Sequence, residues 1–155
     1  MRVLVCGGRD FLQRALLYRY MDALHAHFGF TALIHGAAEG ADTLAGEWAK
    51  KRAVQVCVFP AQWSRDGKIA GPLRNARMLK EGKPDLVVSF PGGNGTTDMV
   101  RMAGLAGVFV VNLCVEALRT YDAEDIADLA LHEYKRQRRY TQLHGEQNMN
   151  RRLGR

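Results

Sequence analysis

At 155 residues, with 47% hydrophobic and 25% charged residues, the chain has the size and composition of one globular domain, which excludes a disordered or fibrous protein. No apolar run is long enough to span a membrane, and the N-terminal apolar residues are too few for a signal peptide, so we expect a cytoplasmic protein without membrane contact. The net charge of +6 comes from the end of the chain, where seven basic residues and one acid follow Glu133, which leaves residues 1 to 134 neutral.

The first half of the chain predicts two strand-helix units. A β-branched run from Arg2 to Cys6 predicts a strand, and Gly7-Gly8 predicts a tight turn after it. Apolar residues at helical spacing follow, and Asp10 is the expected N-cap of that helix. A second strand, Ala32 to His35, leads through a glycine-containing loop into another amphipathic helix that ends near Arg52.

The second half continues the alternation. A third strand, Val54 to Pro60, precedes a polar loop from Ala61 to Gly71 and a helix opened by Pro72. The remaining predicted elements are a strand from Leu86 to Phe90, a helix from Met99 to Ala106, a strand from Val108 to Leu113 and a last helix that begins near Asp122. Beyond Tyr140 the polar composition predicts a loose or partner-ordered tail.

Strands that alternate with helices, and that are mostly continuous apolar runs, are typical of a parallel sheet covered on both faces. We therefore predict an α/β, Rossmann-like, doubly wound parallel sheet of about five strands with helices on both faces. The predicted organisation is a single domain over residues 1 to 134 and a basic, partly flexible C-terminal extension over residues 135 to 155.

In such a sheet, ligands bind beyond the carboxyl ends of the strands, where the strand order reverses. Four loops reach that edge, and their glycines, helix starts and arginines predict a site for a phosphorylated ligand. The candidate ligand-binding residues in these loops are Gly7, Gly8, Arg9, Asp10, His35, Gly36, Asn75, Gly92, Gly93, Gly95, Thr96 and Thr97.

Several of these polar and aromatic residues also have a purely structural interpretation. His35 at a strand end is more often a hydrogen-bonded structural residue than an acid or base, and Asp42 and Asp98 are equally compatible with helix caps. Trp63 is either a core residue or a wall on which a base stacks.

The three cysteines lie far apart within apolar runs, which favours small buried side chains over disulfides or a zinc site. The five histidines show no metal-ligand spacing. We therefore expect that no metal or cofactor is required, and that Mg²⁺ would accompany only a polyphosphate ligand.

Four blocks of sequence carry a resemblance to a known family. They are Val5-Cys6-Gly7-Gly8-Arg9-Asp10, His35-Gly36-Ala37-Ala38-Glu39-Gly40-Ala41-Asp42, Gly67-Lys68-Ile69-Ala70-Gly71-Pro72-Leu73-Arg74-Asn75 and Phe90-Pro91-Gly92-Gly93-Asn94-Gly95-Thr96-Thr97-Asp98. In this order they resemble the SLOG superfamily, named for the Smf/DprA and LOG proteins, and within it the YspA-like, cpYpsA-related branch. The resemblance covers roughly residues 1 to 115 and implies a nucleotide-type ligand.

The LOG relatives are phosphoribohydrolases, which release a base from a nucleoside monophosphate. Arg74 and Met78 reproduce their arginine followed four residues later by methionine, but Met99 stands where their motif has glutamate. The nearest carboxylate is one residue earlier, which is a rotation of ~100° on a helix. The resemblance thus implies catalytic roles for Asp98, Arg74 and Asp42, with Glu39 as a further nearby carboxylate.

Three functional hypotheses follow from the resemblance. The first is nucleotide binding with hydrolysis of an N-glycosidic bond, and the second is a non-catalytic sensor or carrier of the same ligand. The third is nucleic-acid binding, because DprA relatives bind single-stranded DNA and the tail of this chain is basic, although the body of the protein is neutral. Relatives are often dimers or larger, so we also expect a possible homo-oligomer.

Overall fold

The sheet has five strands, all parallel to their neighbours. The structure, a computed structural model, describes residues 1 to 152, with side chains described to residue 146. The strands are β1 (Arg2–Cys6), β2 (Ala32–His35), β3 (Gln55–Val58), β4 (Leu86–Ser89) and β5 (Phe109–Asn112). Their order across the sheet is β3-β2-β1-β4-β5. The predicted doubly wound α/β fold is confirmed.

Helices cover both faces of this sheet. They are α1 (Arg14–Phe28), α2 (Ala41–Lys51), α3 (Trp63–Asp66), α4 (Ala70–Lys80), α5 (Asn94–Leu105), α6 (Val115–Thr120) and α7 (Ala123–Arg152). Because alternate side chains of a strand point to opposite faces, Val3 and Val5 belong to a core cluster with α1, α2 and α7, whereas Leu4 and Cys6 belong to a second cluster with α4 and α5. The chain therefore buries two apolar layers around one sheet.

The strand order places the topological switch point between β1 and β4. From β1 the chain adds β2 and β3 on one side, then crosses to β4 and β5 on the other. Cys6 at the end of β1 is paired in register with Ser89 at the end of β4. The loops that follow these two strands therefore diverge from neighbouring points, which opens a crevice at the carboxyl edge of the sheet.

The first helix begins later than the sequence predicts. Its N-cap is Gln13, so the predicted capping role of Asp10 is wrong. Residues 9 and 10 instead form a turn in which the Phe11 N–H donates to the Gly8 carbonyl at 3.2 Å. This turn brings the buried Phe11 ring to 5.3 Å from the ring of Phe90, so packing of Phe11 takes precedence over an earlier helix start.

The segment predicted as a polar loop, 61 to 71, is largely helical. It contains α3, a 3-10 turn at Gly67–Ile69 and the start of α4 at Ala70. Pro72 is therefore the third residue of α4 and does not open it. The position is tolerated because the first N–H groups of a helix have no partner within the helix.

The C-terminal helix is longer than the sequence predicts. It docks on α1 through Ile126, Ala127 and Ala130, and from Lys135 to Glu146 its side chains are exposed. The segment beyond Tyr140, predicted to be a loose or partner-ordered tail, is helical as far as Arg152, and its last three residues lie outside the described part of the chain. A docked helix extends easily into a segment without proline, because each further residue adds a hydrogen bond without a new nucleation step. No helix in the described part of the chain is long and apolar enough to cross a membrane.

Candidate functional site

A cavity of about 610 Å³ lies at the carboxyl edge of the sheet, over the switch point. The loops that follow β1 and β4 both contribute to its wall. Of the sequence-predicted site residues, those that line it are Gly7, Gly8, Arg9, Asp10, Asp42, Arg74, Asn75, Gly93, Gly95, Thr96 and Asp98. The structure thus brings together residues from segments that are far apart in the chain.

Glycine allows the loops after β1 and β4 to touch. The Gly8 N–H donates to the Pro91 carbonyl at 2.8 Å. A Cβ added to Gly8 would lie 3.0 Å from the Pro91 carbonyl oxygen and 3.2 Å from the Gly92 Cα, which is tighter than most Cβ contacts, and 2.6 Å from the Asp10 carboxylate. Glycine at position 8 therefore suits the close approach of two backbones at the base of the cavity.

The N-terminus of α5 opens into the cavity. Gly93 is the N-cap residue, and its carbonyl accepts hydrogen bonds from the N–H groups of Thr96 and Thr97, both at 3.1 Å. Asn94 and Gly95 form the first turn of the helix and line the cavity. Because first-turn N–H groups have no intrahelical acceptor and lie at the positive end of the helix dipole, this end of the cavity suits an anion.

Arg74 extends from α4 beneath the loop that follows β2. Its Nη1 donates to the Gly36 carbonyl at 2.5 Å, and its Nε donates to the Asn75 side-chain oxygen at 3.0 Å. Burial lowers the pKa of Arg74, and the nearby Asp42 carboxylate partly opposes this shift. An arginine remains protonated in any case, so Arg74 supplies a partly desolvated positive charge to the cavity.

Asn75 links two of the predicted catalytic residues. It is 3% exposed, and its amide nitrogen donates to the Gly95 carbonyl and to the Asp98 carboxylate, both at 3.2 Å. The other oxygen of Asp98 accepts a hydrogen bond of 2.9 Å from Arg101. Asp98 is therefore fixed from both sides and lies within α5, so it is not a helix cap.

Asp42 supports the loop after β2. Its side chain is buried, and one carboxylate oxygen accepts hydrogen bonds from the N–H groups of Gly36 at 2.9 Å and Ala38 at 3.2 Å. These bonds hold the loop, and they do not cap α2, whose N-cap is Gly40. Burial raises the pKa of Asp42 in spite of these hydrogen bonds and of the positive charge of Arg74.

Four predicted ligand-binding residues do not line the cavity. His35 is 8% exposed, and its Nδ1 accepts a hydrogen bond from the Ala37 N–H at 3.0 Å. Burial lowers the pKa of His35, and the charges of Lys50 and Arg74 lower it further. The other three predicted ligand-binding residues that do not line the cavity are Gly36, Gly92 and Thr97. The exposed Glu39 does not line it either. Gly36 nevertheless contributes to the site, because its carbonyl accepts a hydrogen bond from Arg74.

Asp98 and Met99 lie on different sides of α5. Asp98 lines the cavity, whereas Met99 is fully buried in the core cluster that also contains Met78 and Cys6. The position at which LOG proteins carry their glutamate is thus a core position here. The carboxylate that the cavity receives from α5 is Asp98, one residue earlier.

The cavity wall also includes Trp63, for which the sequence allows two interpretations, and residues that the sequence did not predict as ligand-binding. Trp63 belongs to neither core cluster and is half exposed, so its interpretation as a core residue is wrong. Burial raises the pKa of the Cys6 thiol to about 12, so this cysteine forms an inert part of the lining. The residues missed were Cys6, Ala38, Gly71, Pro72, Met78 and Asn94. Except for the polar Asn94, they are small or apolar, and only their proximity in the fold reveals them.

The carboxylates of the cavity are Asp10, Asp42 and Asp98. Among the described residues, no three histidine, cysteine, aspartate or glutamate side chains group as metal ligands do. The polar groups that the cavity offers a ligand are therefore backbone N–H groups, arginines, an amide and carboxylates.

Comparisons with known proteins agree with this architecture. The model of the YspA, cpYpsA-related SLOG family matches residues 1–65, a segment that runs from β1 to the start of α3. The chain is also 35% identical over 119 residues to the Gene 61 protein of Mycobacterium phage D29, and the alignment covers 72% of this chain and 94% of that protein. No solved structure matches the chain. On its sequence matches and its parallel five-stranded sheet, the chain belongs to the YspA, cpYpsA-related SLOG family.

Proposed function

We propose that this protein binds a nucleotide or nucleotide-derived ligand in the cavity, with a phosphate at the N-terminus of α5. The observation that carries the proposal is the convergence, in one cavity, of a helix N-terminus, the double-glycine turn of Gly7 and Gly8 and the cationic Arg74. Each of these groups is suited to an anion. Membership of the SLOG family supports a nucleotide-related ligand.

The electrostatics of Arg74 favour a phosphate in particular. Two of its nitrogens are bound to the Gly36 carbonyl and the Asn75 side chain, which fixes the plane of the guanidinium. Its charge is partly desolvated, and both of these hydrogen bonds go to neutral oxygen acceptors. An incoming phosphate would supply Arg74 with a hydrogen-bonded anionic partner, and the fixed guanidinium would lose little conformational entropy on binding it.

Hydrolysis of an N-glycosidic bond is the reaction that the carboxylates of the cavity could support. That reaction passes through an oxocarbenium-like state. A carboxylate near the anomeric carbon can stabilise this state or can activate the attacking water. Asp42 has a raised pKa within the cavity, as acid-base groups often do, and Asp98 is held in place by Asn75 and Arg101.

Binding is tested by calorimetry and thermal shift with AMP, ribose 5-phosphate, NAD and ADP-ribose. We expect a phosphate-bearing ligand to raise the melting temperature, and Arg74→Gln to weaken its binding at least tenfold, or roughly 1.4 kcal/mol. The matched control is Arg119→Gln, an exposed arginine of α6, which should leave affinity unchanged. If none of these ligands raises the melting temperature or gives binding heat, the proposal is wrong.

A non-catalytic sensor of the same ligand is the second candidate. It is favoured by the burial of Met99, because the glutamate position of LOG proteins has here become part of the core. Chromatography of incubations with nucleoside monophosphates decides between the two. Release of free base, abolished by both Asp98→Asn and Asp42→Asn, would support the hydrolase, whereas tight binding without release would support the sensor.

A further inference from the structure

Trp63 occupies an unusual place for a tryptophan. It begins α3, a helix of four residues in which no side chain is buried, and half of its own surface is exposed. The other tryptophan, Trp48, is fully buried in the main core cluster. Packing of the fold therefore accounts for Trp48 and does not account for the position of Trp63.

The Trp63 indole forms a wall of the cavity together with the start of α4. Gly71 and Pro72 line the cavity beside it, and the outer edge of the indole lies 3.6 Å from where a Cβ on Gly71 would be. This part of the wall is flat and apolar. The N-terminus of α5, by contrast, offers backbone N–H groups, so the cavity contains both a region for an anion and a region for an aromatic ring.

Arg9 is stacked on this indole. Its guanidinium carbon lies 5.5 Å from the centroid of the Trp63 ring, within the range of a cation-π contact. The sequence predicts Arg9 as a phosphate ligand, but in the structure it lies against the aromatic wall. Arg9 belongs to the turn after β1 and Trp63 begins α3, which follows β3, so the contact joins segments that follow two strands separated by β2 in the sheet.

We propose that Trp63 and Arg9 form a base subsite, in which the exposed Arg9 side chain moves off the Trp63 indole, the nucleobase of the ligand stacks on the ring in its place, and Arg9 packs against the outer side of the base. This inference rests on the proposed function. It assigns a binding site to the base of the ligand, which the phosphate-binding groups of the protein do not contact. An indole face of this kind accepts any flat nitrogenous ring, because stacking requires no particular hydrogen bond. Arg9 then favours ligands that carry a base and contributes little to the binding of the phosphate.

The experiment compares AMP with ribose 5-phosphate, which lacks the base. We expect Trp63→Ala to weaken AMP binding between about fivefold and a hundredfold and to change ribose 5-phosphate binding less than about twofold. Arg9→Ala should follow the same pattern with a smaller loss, and Trp63→Phe should recover most of the AMP affinity. Ile69→Ala, which truncates a nearby exposed apolar side chain outside the cavity lining, is the control and should alter neither affinity.

Fluorescence supplies a readout that a purely structural role would not change. The chain has two tryptophans, and Trp48 is buried away from the cavity. AMP should quench the emission of the wild-type protein, ribose 5-phosphate should not, and the quenching by AMP should be absent in Trp63→Phe.

The possible failures separate the two proposals. If the wild-type protein binds neither ligand, the proposed function is wrong. If it binds both, and Trp63→Ala weakens both equally or neither, the base subsite is wrong while the phosphate site stands. If Arg9→Ala weakens the binding of AMP and of ribose 5-phosphate equally, Arg9 binds the phosphate, and its assignment to the base is wrong.

Discussion

The amide nitrogen of Asn75 donates a hydrogen bond of 3.2 Å to the carboxylate of Asp98, and so connects α4 to α5 beneath the cavity. The same amide serves Arg74 and the Gly95 carbonyl. Asn75→Ala would remove the hydrogen-bond partner of Asp98, Arg74 and the Gly95 carbonyl at a buried position. We therefore expect a loss of about 1–3 kcal/mol in the free energy of unfolding. Urea denaturation measures this. The exposed Asn94→Ala, on the adjoining helix start, should cost less than about 0.5 kcal/mol.

Met99 provides a test of which face of α5 meets the core. Met99→Glu recreates the glutamate of the LOG motif, but it would place a carboxylate where the present side chain is fully buried. We expect a loss of about 3–5 kcal/mol in unfolding free energy and no gain of hydrolysis, because the charge has no partner there. Met99→Leu should cost less than about 1.5 kcal/mol. A stable Met99→Glu variant that releases base from AMP faster than the wild type does would contradict the placement of position 99 in the core.

Gly36 matters through Arg74, although it does not line the cavity. A Cβ on Gly36 would lie 2.6 Å from the guanidinium carbon of Arg74, so Gly36→Ala must displace that side chain. We expect it to weaken AMP and ribose 5-phosphate binding alike by roughly tenfold, as measured by calorimetry.

The control for Gly36 is Gly104, an exposed glycine of α5 with open space around its Cα. Gly104→Ala should leave ligand affinity unchanged and should raise the free energy of unfolding by about 0.5–1 kcal/mol, because alanine loses less backbone entropy in a helix. Gly36→Ala with unchanged affinity would show that Arg74 need not be held by this loop.

His35 should make the protein less stable in mild acid. Its folded pKa lies below its usual value of 6.5, chiefly because it is buried. The unfolded chain therefore takes up the proton first, and stability is lost as the pH falls from about 6.5 towards the folded pKa. We expect the fall in unfolding free energy between about pH 7.5 and 5.5 to be smaller in His35→Asn than in the wild type. Urea denaturation at the two pH values measures it.

The contribution of His27 to stability changes with pH in the opposite direction, so His27 serves as the control. A hydrogen bond of 2.7 Å to Asp128 raises its pKa above 6.5, so its contribution is present at low pH and is lost as the pH rises. His27→Gln should therefore steepen the loss of stability in acid. An unchanged pH profile in His35→Asn would mean that His35 titrates as an exposed histidine does.

The sequence predicts the sheet and most of the cavity because both depend on short local patterns. The run from Leu86 to Phe90 and the glycines after it indicate a strand end and a helix start without knowledge of the rest of the chain. The parallel arrangement then brings the loop ends to one edge. The structural role of Asn75 could not be predicted, because its partners Gly95 and Asp98 lie 20 and 23 residues further along the chain and become its neighbours only in the fold.

Other failures have a similar cause. Asp10 has the residue type of an N-cap, but the burial of Phe11 against Phe90 determines where α1 begins. His35 resembles a ligand when it is placed at the strand end, yet its ring faces Gly46 of α2, where a Cβ would lie 2.9 Å from Nε2. In both cases a contact with a distant residue decides the outcome, and no local pattern encodes such a contact.

The four residues of α3 contribute no buried side chain, although Trp63 stands at the rim of the cavity. Substitutions in this segment should therefore be almost free of thermodynamic penalty, since they remove nothing from either core cluster. Natural drift can then alter which ring the cavity accepts without first acquiring compensating mutations in the core. Directed evolution aimed at a new ligand would do best to randomise α3 and to leave the strands and the glycine turns untouched.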